Sequence, residues 1–167
     1  MLMIKEATLC LLIRENQDGK ELLLAMKKRG FGAGKWNGVG GKLDSRKGDK
    51  NIIETAIRET EEEIGVKIKK LEKVAVLNFR FPYIPEEKEW DQNVHVFLAR
   101  KWEGTPFETE EMRPEWFNEK EIPFDRMWDD DKLWLPEILK GKKLKADFIF
   151  KEGEIILEHN INITEEI

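Results

Sequence analysis

Two short apolar runs separated by a turn open the chain. Residues 8–13 are almost entirely apolar, which predicts a buried strand, and residues 21–26 predict a second strand. The intervening Asn16-Gln17-Asp18-Gly19 is rich in turn-forming residues, so the two strands are predicted to form a hairpin. Further along, similar patterns predict strands over residues 71–81 and 94–100 and a closing hairpin over 147–161.

A helical pattern follows the first hairpin. Side chains suited to a buried face recur every three or four positions, at Ile52, Ile53, Ala56, Ile57, Thr60 and Ile64. Asp49 is a suitable N-cap, and Gly65 is suited to end the helix. A second helix is predicted from about Asp130 to Leu139. Strands interleaved with helices predict a mixed α/β fold, and residues 1–167 are expected to form one domain.

Composition narrows the class of protein. Of the 167 residues, 40% are apolar, yet none of the apolar stretches approaches the ~20 residues of a membrane helix, and the start does not resemble a signal peptide. Cys10 is the only cysteine and lies in an apolar run, so we expect a buried structural thiol. The net charge of −5 argues against a nucleic-acid polymer as partner. We therefore expect a cytoplasmic monomer with no membrane partner. A small phosphorylated ligand remains compatible if a bound cation supplies positive charge.

A cluster of glutamates follows a glycine-rich segment. Residues 30–48 contain seven of the 12 glycines. Glu59, Glu62 and Glu63 then occur at i, i+3 and i+4 on the first predicted helix, so their side chains are predicted to converge. Such carboxylates are the oxygen ligands that Mg²⁺ or Mn²⁺ prefers. A solvated helix face is the alternative, but residues 51–66 contain no lysine to balance these charges.

The glutamate cluster resembles the signature of the Nudix hydrolases, G-x5-E-x7-R-E-U-x-E-E-x-G-U, in which U is aliphatic. Residues 58–66, Arg-Glu-Thr-Glu-Glu-Glu-Ile-Gly-Val, match its second half, with Thr60 in place of an aliphatic residue. The first half is three residues longer than the signature, around Asp44-Ser45-Arg46-Lys47. The first glutamate of the signature therefore falls near Asp49 or Lys50, where Asp49 can retain a carboxylate.

The resemblance extends over most of the chain to the MutT-like 8-oxo-dGTPases of this family. It includes residues 26–38, 94–97, 111–114, 122–124, 127–128 and 130–131. It implies a Nudix-type α/β/α sandwich with a mixed β-sheet. It also implies a magnesium site formed by Glu59, Glu62 and Glu63, completed by the Gly40 carbonyl and Glu111, with Arg58 orienting the glutamates. One of these carboxylates would act as the general base.

The same resemblance implies a pocket for a nucleotide base. Its residues would be Thr8, Lys27, Phe31, Asn37, Phe79, Phe81, Trp128, Asp130, Asp131 and Trp134. Trp128 offers a flat face for stacking. Adjacent buried carboxylates can share a proton, so that Asp130 and Asp131 together would donate and accept hydrogen bonds. Core packing of the aromatic residues and helix capping by one aspartate are the structural alternatives. The loop over residues 82–93 is longer than in these relatives and contains Trp90.

The implied reaction is Mg²⁺-dependent hydrolysis of an oxidised purine nucleoside triphosphate, such as 8-oxo-dGTP or 2-oxo-dATP, to the monophosphate and pyrophosphate. Two alternatives remain open. A Nudix hydrolase of other nucleoside polyphosphates would have the same carboxylates and a different pocket. A catalytically weak nucleotide-binding module is suggested by the altered first half of the signature, whereas the intact glutamates argue against it.

Overall fold

Eight strands and two α-helices make up the fold. The computed structural model describes residues 3–167, and all bounds below refer to that part of the chain. The elements in chain order are β1 (Lys5–Asn16), β2 (Gly19–Lys27), β3 (Trp36–Asn37), α1 (Ile52–Ile64), β4 (Lys67–Arg80), β5 (Gln92–Glu103), β6 (Met112–Asn118), α2 (Asp131–Leu139), β7 (Lys143–Lys151) and β8 (Ile155–Thr164). Among these residues, no helix is long and apolar enough to cross a membrane.

The strands form one mixed sheet in the order β3-β2-β1-β5-β4-β7-β8, and β6 pairs with β2. The pairs β1–β5 and β4–β7 are parallel, whereas the other pairs are antiparallel. The two predicted hairpins, β1–β2 and β7–β8, are confirmed. Strands β3 and β6 were not predicted from the sequence.

Strand β1 is buried on both faces and separates two cores. Leu9 and Leu11 lie in a core with Trp134 and Ile138 of helix α2. The alternate residues Cys10 and Leu12 lie in a second core with Ile64 of helix α1. Because side chains alternate across a strand, the two helices lie on opposite faces of the sheet. The predicted single-domain α/β/α sandwich is confirmed. Cys10 is completely buried, and burial raises the pKa of its thiol to about 12, as expected for a packing residue.

Helix α1 begins later than predicted. Asn51, not Asp49, is the N-cap, since its side chain accepts a hydrogen bond from the Glu54 amide at 3.0 Å. Gly65 ends the helix in the left-handed region (φ 73°), as predicted. The buried face consists of Thr55, Ala56, Thr60 and Ile64, while Ile53 is 49% exposed. The predicted burial of Ile53 is therefore wrong. In the first turn it is Thr55 that faces inward, because its hydroxyl donates to the buried Asp49 at 2.9 Å.

Candidate active site

The glycine-rich segment packs against strand β1 more closely than any side chain would allow. The Thr8 amide donates to the Gly41 carbonyl at 2.9 Å, and Cys10 and Val39 pair through their backbones. A Cβ atom at Gly40 would lie 1.9 Å from the Thr8 carbonyl oxygen, and one at Gly41 would lie 2.4 Å from Cδ of Glu59. The two glycines therefore bring the main chain into contact with both the sheet and Glu59 of helix α1.

Glu63 lies at the base of the glutamate group, against the glycine segment. One of its carboxylate oxygens accepts a hydrogen bond from the Gly40 amide at 3.2 Å. Burial, together with the neighbouring charges of Glu59 and Glu111, raises its pKa to about 8 against the opposing effect of the Gly40 amide. Burial also raises the pKa of Glu59. These carboxylates are thus concentrated in one partly desolvated place, where negative charge is costly without a cation.

Arg58 connects the glutamates to Asp49. Its Nη1 donates to Glu59 at 3.0 Å and to Glu62 at 3.1 Å. Its Nε and Nη2 donate to the two carboxylate oxygens of Asp49 at 2.8 and 2.7 Å. Asp49 is buried, and the hydrogen bonds from Arg58 hold the pKa of this carboxyl well below its usual range. The longer first half of the signature thus keeps a carboxylate that orients Arg58, and Arg58 in turn contacts two glutamates.

The carboxylates do not form a ready-made cage for an ion. In the described part of the chain, no three acidic, histidine or cysteine side chains surround a common point. Arg58 Nη1 donates to both Glu59 and Glu62, Glu62 is half exposed beside Lys47, and Glu111 pairs with Arg29 at 3.2 Å. The metal site predicted for these glutamates therefore stays a prediction. We call Glu59, Glu62, Glu63 and Glu111 the carboxylate cluster; its donors are all oxygens, which suits a hard divalent cation.

A cleft of about 960 Å³ opens beside the cluster. Gly40 and Glu63 border it, as do all ten residues predicted to contact substrate: Thr8, Lys27, Phe31, Asn37, Phe79, Phe81, Trp128, Asp130, Asp131 and Trp134. Its volume is within the range typical of small-molecule sites. The cleft therefore reaches from the carboxylate cluster to the N-terminus of helix α2. These two parts of the chain are far apart in sequence, and the tertiary fold brings them together.

Asp130 and Asp131 form a buried acid pair at the far end of the cleft. They are 2% and 3% exposed. Trp134 Nε1 donates to Asp130 Oδ2 at 2.7 Å, whereas Asp131 Oδ2 is buried without a hydrogen-bond partner. Burial raises the pKa of both carboxyls, that of Asp130 to about 6, and the charge of Asp130 raises that of Asp131 further. Near neutral pH the pair therefore retains a proton.

Helix capping does not account for the acid pair. Asp130 occupies the N-cap position of helix α2, but its side chain makes no capping hydrogen bond. Asp129 accepts a hydrogen bond from the Ile156 amide at 3.0 Å. The two aspartates of the acid pair thus line the cleft, and one of their carboxyl oxygens has no hydrogen-bond partner.

Aromatic side chains form the walls of the cleft. The rings of Phe31 and Phe81 lie 5.2 and 6.2 Å from that of Trp128, and Lys35 Nζ lies 5.3 Å from the same indole. Trp134 is 1% exposed, so its ring is a core residue whose N–H supports Asp130. Core packing, the alternative raised in the sequence analysis, therefore explains part of this group of aromatic residues.

The sequence interpretation missed several cations at the mouth of the cleft, namely Lys5, Lys35, Lys42, Arg46, Lys47 and Lys88. Trp90 also lines the cleft, and it belongs to the longer loop that the sequence had singled out. Four of these cations lie within or next to the glycine-rich segment, between residues 35 and 47. Their proximity to that segment was the signal available in the sequence. They place positive charge at the mouth of the cleft, partly neutralised by ion pairs such as Lys35 with Glu154 and Arg46 with Asp44.

A glutamate-bearing helix that follows a glycine-rich segment and packs on a mixed sheet defines a Nudix-type α/β/α domain. The NUDIX domain profile matches residues 3–138, and the chain belongs to this family. The predicted family is therefore confirmed. Nudix hydrolases generally use divalent metal cations, and the all-oxygen carboxylate cluster fits such an ion.

Two relatives in vertebrates cover most of the chain. The oxidized purine nucleoside triphosphate hydrolase of Danio rerio is 44% identical over 151 residues, which are 90% of this chain and 92% of the relative. The protein of the same name from Mus musculus is 43% identical over 142 residues, 85% of this chain and 86% of the relative. The crystal structure of a MutT protein from Bacillus halodurans has a TM-score of 0.77 at 24% identity, covering 95% of this chain and 97% of that one. At this identity the likeness shows the fold alone.

Proposed function

We propose that this protein hydrolyses oxidised purine nucleoside triphosphates, such as 8-oxo-dGTP or 2-oxo-dATP, to the monophosphate and pyrophosphate with Mg²⁺. The observation that supports it most directly is the single cleft with a buried acid pair at one end and Glu63 with Gly40 at the other. One nucleotide can thus place its base against Asp130 and Asp131 and its phosphates beside the carboxylate cluster. The identity to the two vertebrate hydrolases over 85–90% of the chain supports the same substrate.

The base is read by hydrogen bonds and stacking. A protonated Asp131 and an ionised Asp130 provide a donor and an acceptor side by side, which suits the mixed donor and acceptor edge of an oxidised purine. The Asn37 side chain lines the same cleft and can supply either group. Stacking on Trp128 contributes ~1–3 kcal/mol per base. Because the site is buried, a base that leaves one of these polar groups unpaired is strongly disfavoured.

The phosphates lie at the basic mouth of the cleft. Lys27 contacts the triphosphate, and the other cations of the mouth raise the local concentration of an anionic ligand. Glu59, Glu62, Glu63, Glu111 and the Gly40 carbonyl would hold Mg²⁺, with Arg58 setting the side chains of Glu59 and Glu62. When bound, the metal neutralises the triphosphate and lowers the pKa of water.

A side chain of the protein takes up the proton that the attacking water loses. Water attacks phosphorus in line, the anhydride bond between the α- and β-phosphates breaks, and pyrophosphate leaves. One carboxylate of the cluster accepts the proton of the attacking water, a contribution of typically ~10²–10⁴ in rate. The Gly40 amide fixes Glu63 for this step or for metal binding.

Product analysis over a panel of nucleotides tests the proposal. We expect pyrophosphate and the monophosphate from 8-oxo-dGTP or 2-oxo-dATP, with kcat/KM at least about tenfold above that for dGTP and dATP. Equal rates on all four substrates would favour the Nudix hydrolase of broader specificity. Binding of 8-oxo-dGMP without release of pyrophosphate from any of them would favour the binding module.

A further inference from the structure

The loop between strands β4 and β5 places an aromatic residue over the cleft. Trp90 lies in this loop, residues 82–93, and its indole is half-buried in the cleft wall. The centroid of its ring lies 4.4 Å from that of Phe31 and 5.5 Å from that of Phe81. These are contact distances for aromatic rings, so Trp90 is packed into the wall rather than projecting into solvent.

Both neighbours of Trp90 along the chain are tied to the body of the protein. The Asp91 carboxylate accepts a hydrogen bond from the Phe81 amide at 2.8 Å, which holds it to the end of strand β4. On the other side, the Glu89 carbonyl accepts from Lys42 Nζ at 3.0 Å, and its carboxylate lies 3.8 Å from Lys5 Nζ. Glu89 also adopts a left-handed conformation (φ 55°), which is costly for a glutamate unless its surroundings fix it. The loop is thus held so that Trp90 faces the cleft.

The two tryptophans of the cleft contact the same pair of phenylalanines. Phe31 and Phe81 each contact both Trp90 and Trp128. Among the described residues, the rings of Trp90 and Trp128 do not contact each other directly. Both indoles therefore belong to one aromatic surface that lines the cleft, and a ligand that fills the cleft meets both.

We propose that Trp90 is a specificity-determining residue that contacts the purine ring and favours a bicyclic base over a pyrimidine. This inference rests on the proposed function, because it assumes that the base occupies the cleft beside Trp128. A bicyclic ring presents a larger flat surface to Trp90 and Trp128 than a six-membered ring does, so it gains more from the two indoles. The chain selects for base size through Trp90 and for hydrogen-bonding groups through the acid pair.

Kinetics of tryptophan variants test this role. Trp90→Ala should raise KM for 8-oxo-dGTP about tenfold, in line with loss of one stacking surface, and leave kcat within about twofold because the residue is remote from the carboxylate cluster. KM for dCTP should change little, so purine selectivity should fall about tenfold. Trp90→Phe keeps a flat ring and should restore most of the affinity. Trp102→Ala is the matched control, since Trp102 stacks on Trp116 in the core on the opposite face.

A binding measurement separates this inference from the proposed function. Calorimetric titration of 8-oxo-dGMP and dCMP without a divalent cation requires no turnover, and Trp90→Ala should weaken only the purine monophosphate. Equal affinities in wild type and Trp90→Ala would overturn the role of Trp90, as would a loss in kcat with unchanged KM. A wild-type protein that releases no pyrophosphate from oxidised purines would overturn the proposed function instead.

Discussion

At the scale of single residues, the buried carboxylate of Asp49 holds Arg58 in place. This carboxylate is almost completely buried and accepts hydrogen bonds from Arg58, Thr55 and the Asp44 amide. Two nitrogens of Arg58 meet its two oxygens, the geometry in which a buried ion pair best compensates for the loss of water. Asp49 thereby fixes the guanidinium that contacts Glu59 and Glu62.

Asp49→Asn should destabilise the protein by ~3 kcal/mol at pH 7, because it leaves Arg58 without its main counter-charge in a buried place. Since the folded-state pKa of Asp49 is below its unfolded value, its stabilisation is present above about pH 4 and is lost at lower pH. Urea unfolding from pH 7 to pH 3 should therefore show the difference between wild type and variant shrinking. Asp44→Asn, which removes an exposed partner of Arg46, is the matched control and should have a much smaller effect. A pH-independent difference would contradict this account.

For the acid pair, we expect the stability of the protein to depend on pH in the opposite direction. Because the folded-state pKa of Asp131 is raised, stability associated with its protonated form is present at low pH and is lost as pH rises through that pKa. Asp131→Asn removes this loss, so its Tm should rise relative to wild type between pH 5 and pH 8. Asp129→Asn is the control: since the Ile156 amide lowers the pKa of Asp129, the effect of this variant on Tm should stay constant between pH 5 and pH 8. Parallel Tm curves for wild type and Asp131→Asn would show that the pair does not hold a proton.

Residue identities could be predicted where a local pattern fixes them. Gly65 and the glutamates of helix α1 follow from spacing alone, and the ten cleft-lining residues follow from the family resemblance. The predicted helix start was wrong because Asp49 and Asn51 are both good N-cap residues. Only the fold shows that Asp49 pairs with Arg58 and leaves the capping role to Asn51. Pairing between side chains distant in sequence is set by tertiary contacts, which local propensity does not contain.

At the scale of elements, the glycine-rich segment acts as a part of the sheet without being a regular strand. Gly40 and Gly41 pack against the backbone of strand β1, and the short strand β3 pairs with strand β2. The sequence predicted a loop here, because seven glycines in 19 positions suppress any periodic pattern. Strand β6 was missed for a similar reason. It contains Arg113, Pro114 and Glu115, residues that weaken a strand pattern, although it pairs with strand β2 along its length.

Gly40→Ala tests the close approach of this segment to the sheet. The added methyl group would overlap the Thr8 carbonyl, so the segment must move away from strand β1 and take the Gly40 amide away from Glu63. We expect a loss of ~1–3 kcal/mol in stability and about a hundredfold in kcat, since displacement of a catalytic carboxylate by an ångström has effects of this size. Gly34→Asn, at a position with open space, should leave both nearly unchanged. An active, stable Gly40→Ala variant would show that the contact has no functional role.

At the scale of the whole molecule, the fold brings together segments that are far apart in sequence. Helix α1 and Glu111 provide the carboxylate cluster, which lies against the glycine-rich segment. The 82–93 loop provides Trp90, and the start of helix α2 provides the acid pair. The sequence predicted the α/β/α class, because the strand and helix periods are clear and alternate. It did not predict that Asp49 would pair with Arg58 or that several cations would line the mouth of the cleft, since both depend on packing between elements.

The role of the carboxylate cluster is the claim on which the proposed function depends. The most direct measurement is the rate of pyrophosphate release from 8-oxo-dGTP by wild type, Glu63→Gln and Glu61→Gln, with Mg²⁺, with a chelator, and with Mn²⁺ added back. Glu61 lies exposed on the same helix and serves as the matched control. We predict that the chelator abolishes turnover and Mn²⁺ restores it, that Glu63→Gln is slower by about a hundredfold or more, and that Glu61→Gln resembles wild type. Turnover that survives the chelator, or a Glu63→Gln variant as fast as Glu61→Gln, would contradict the account.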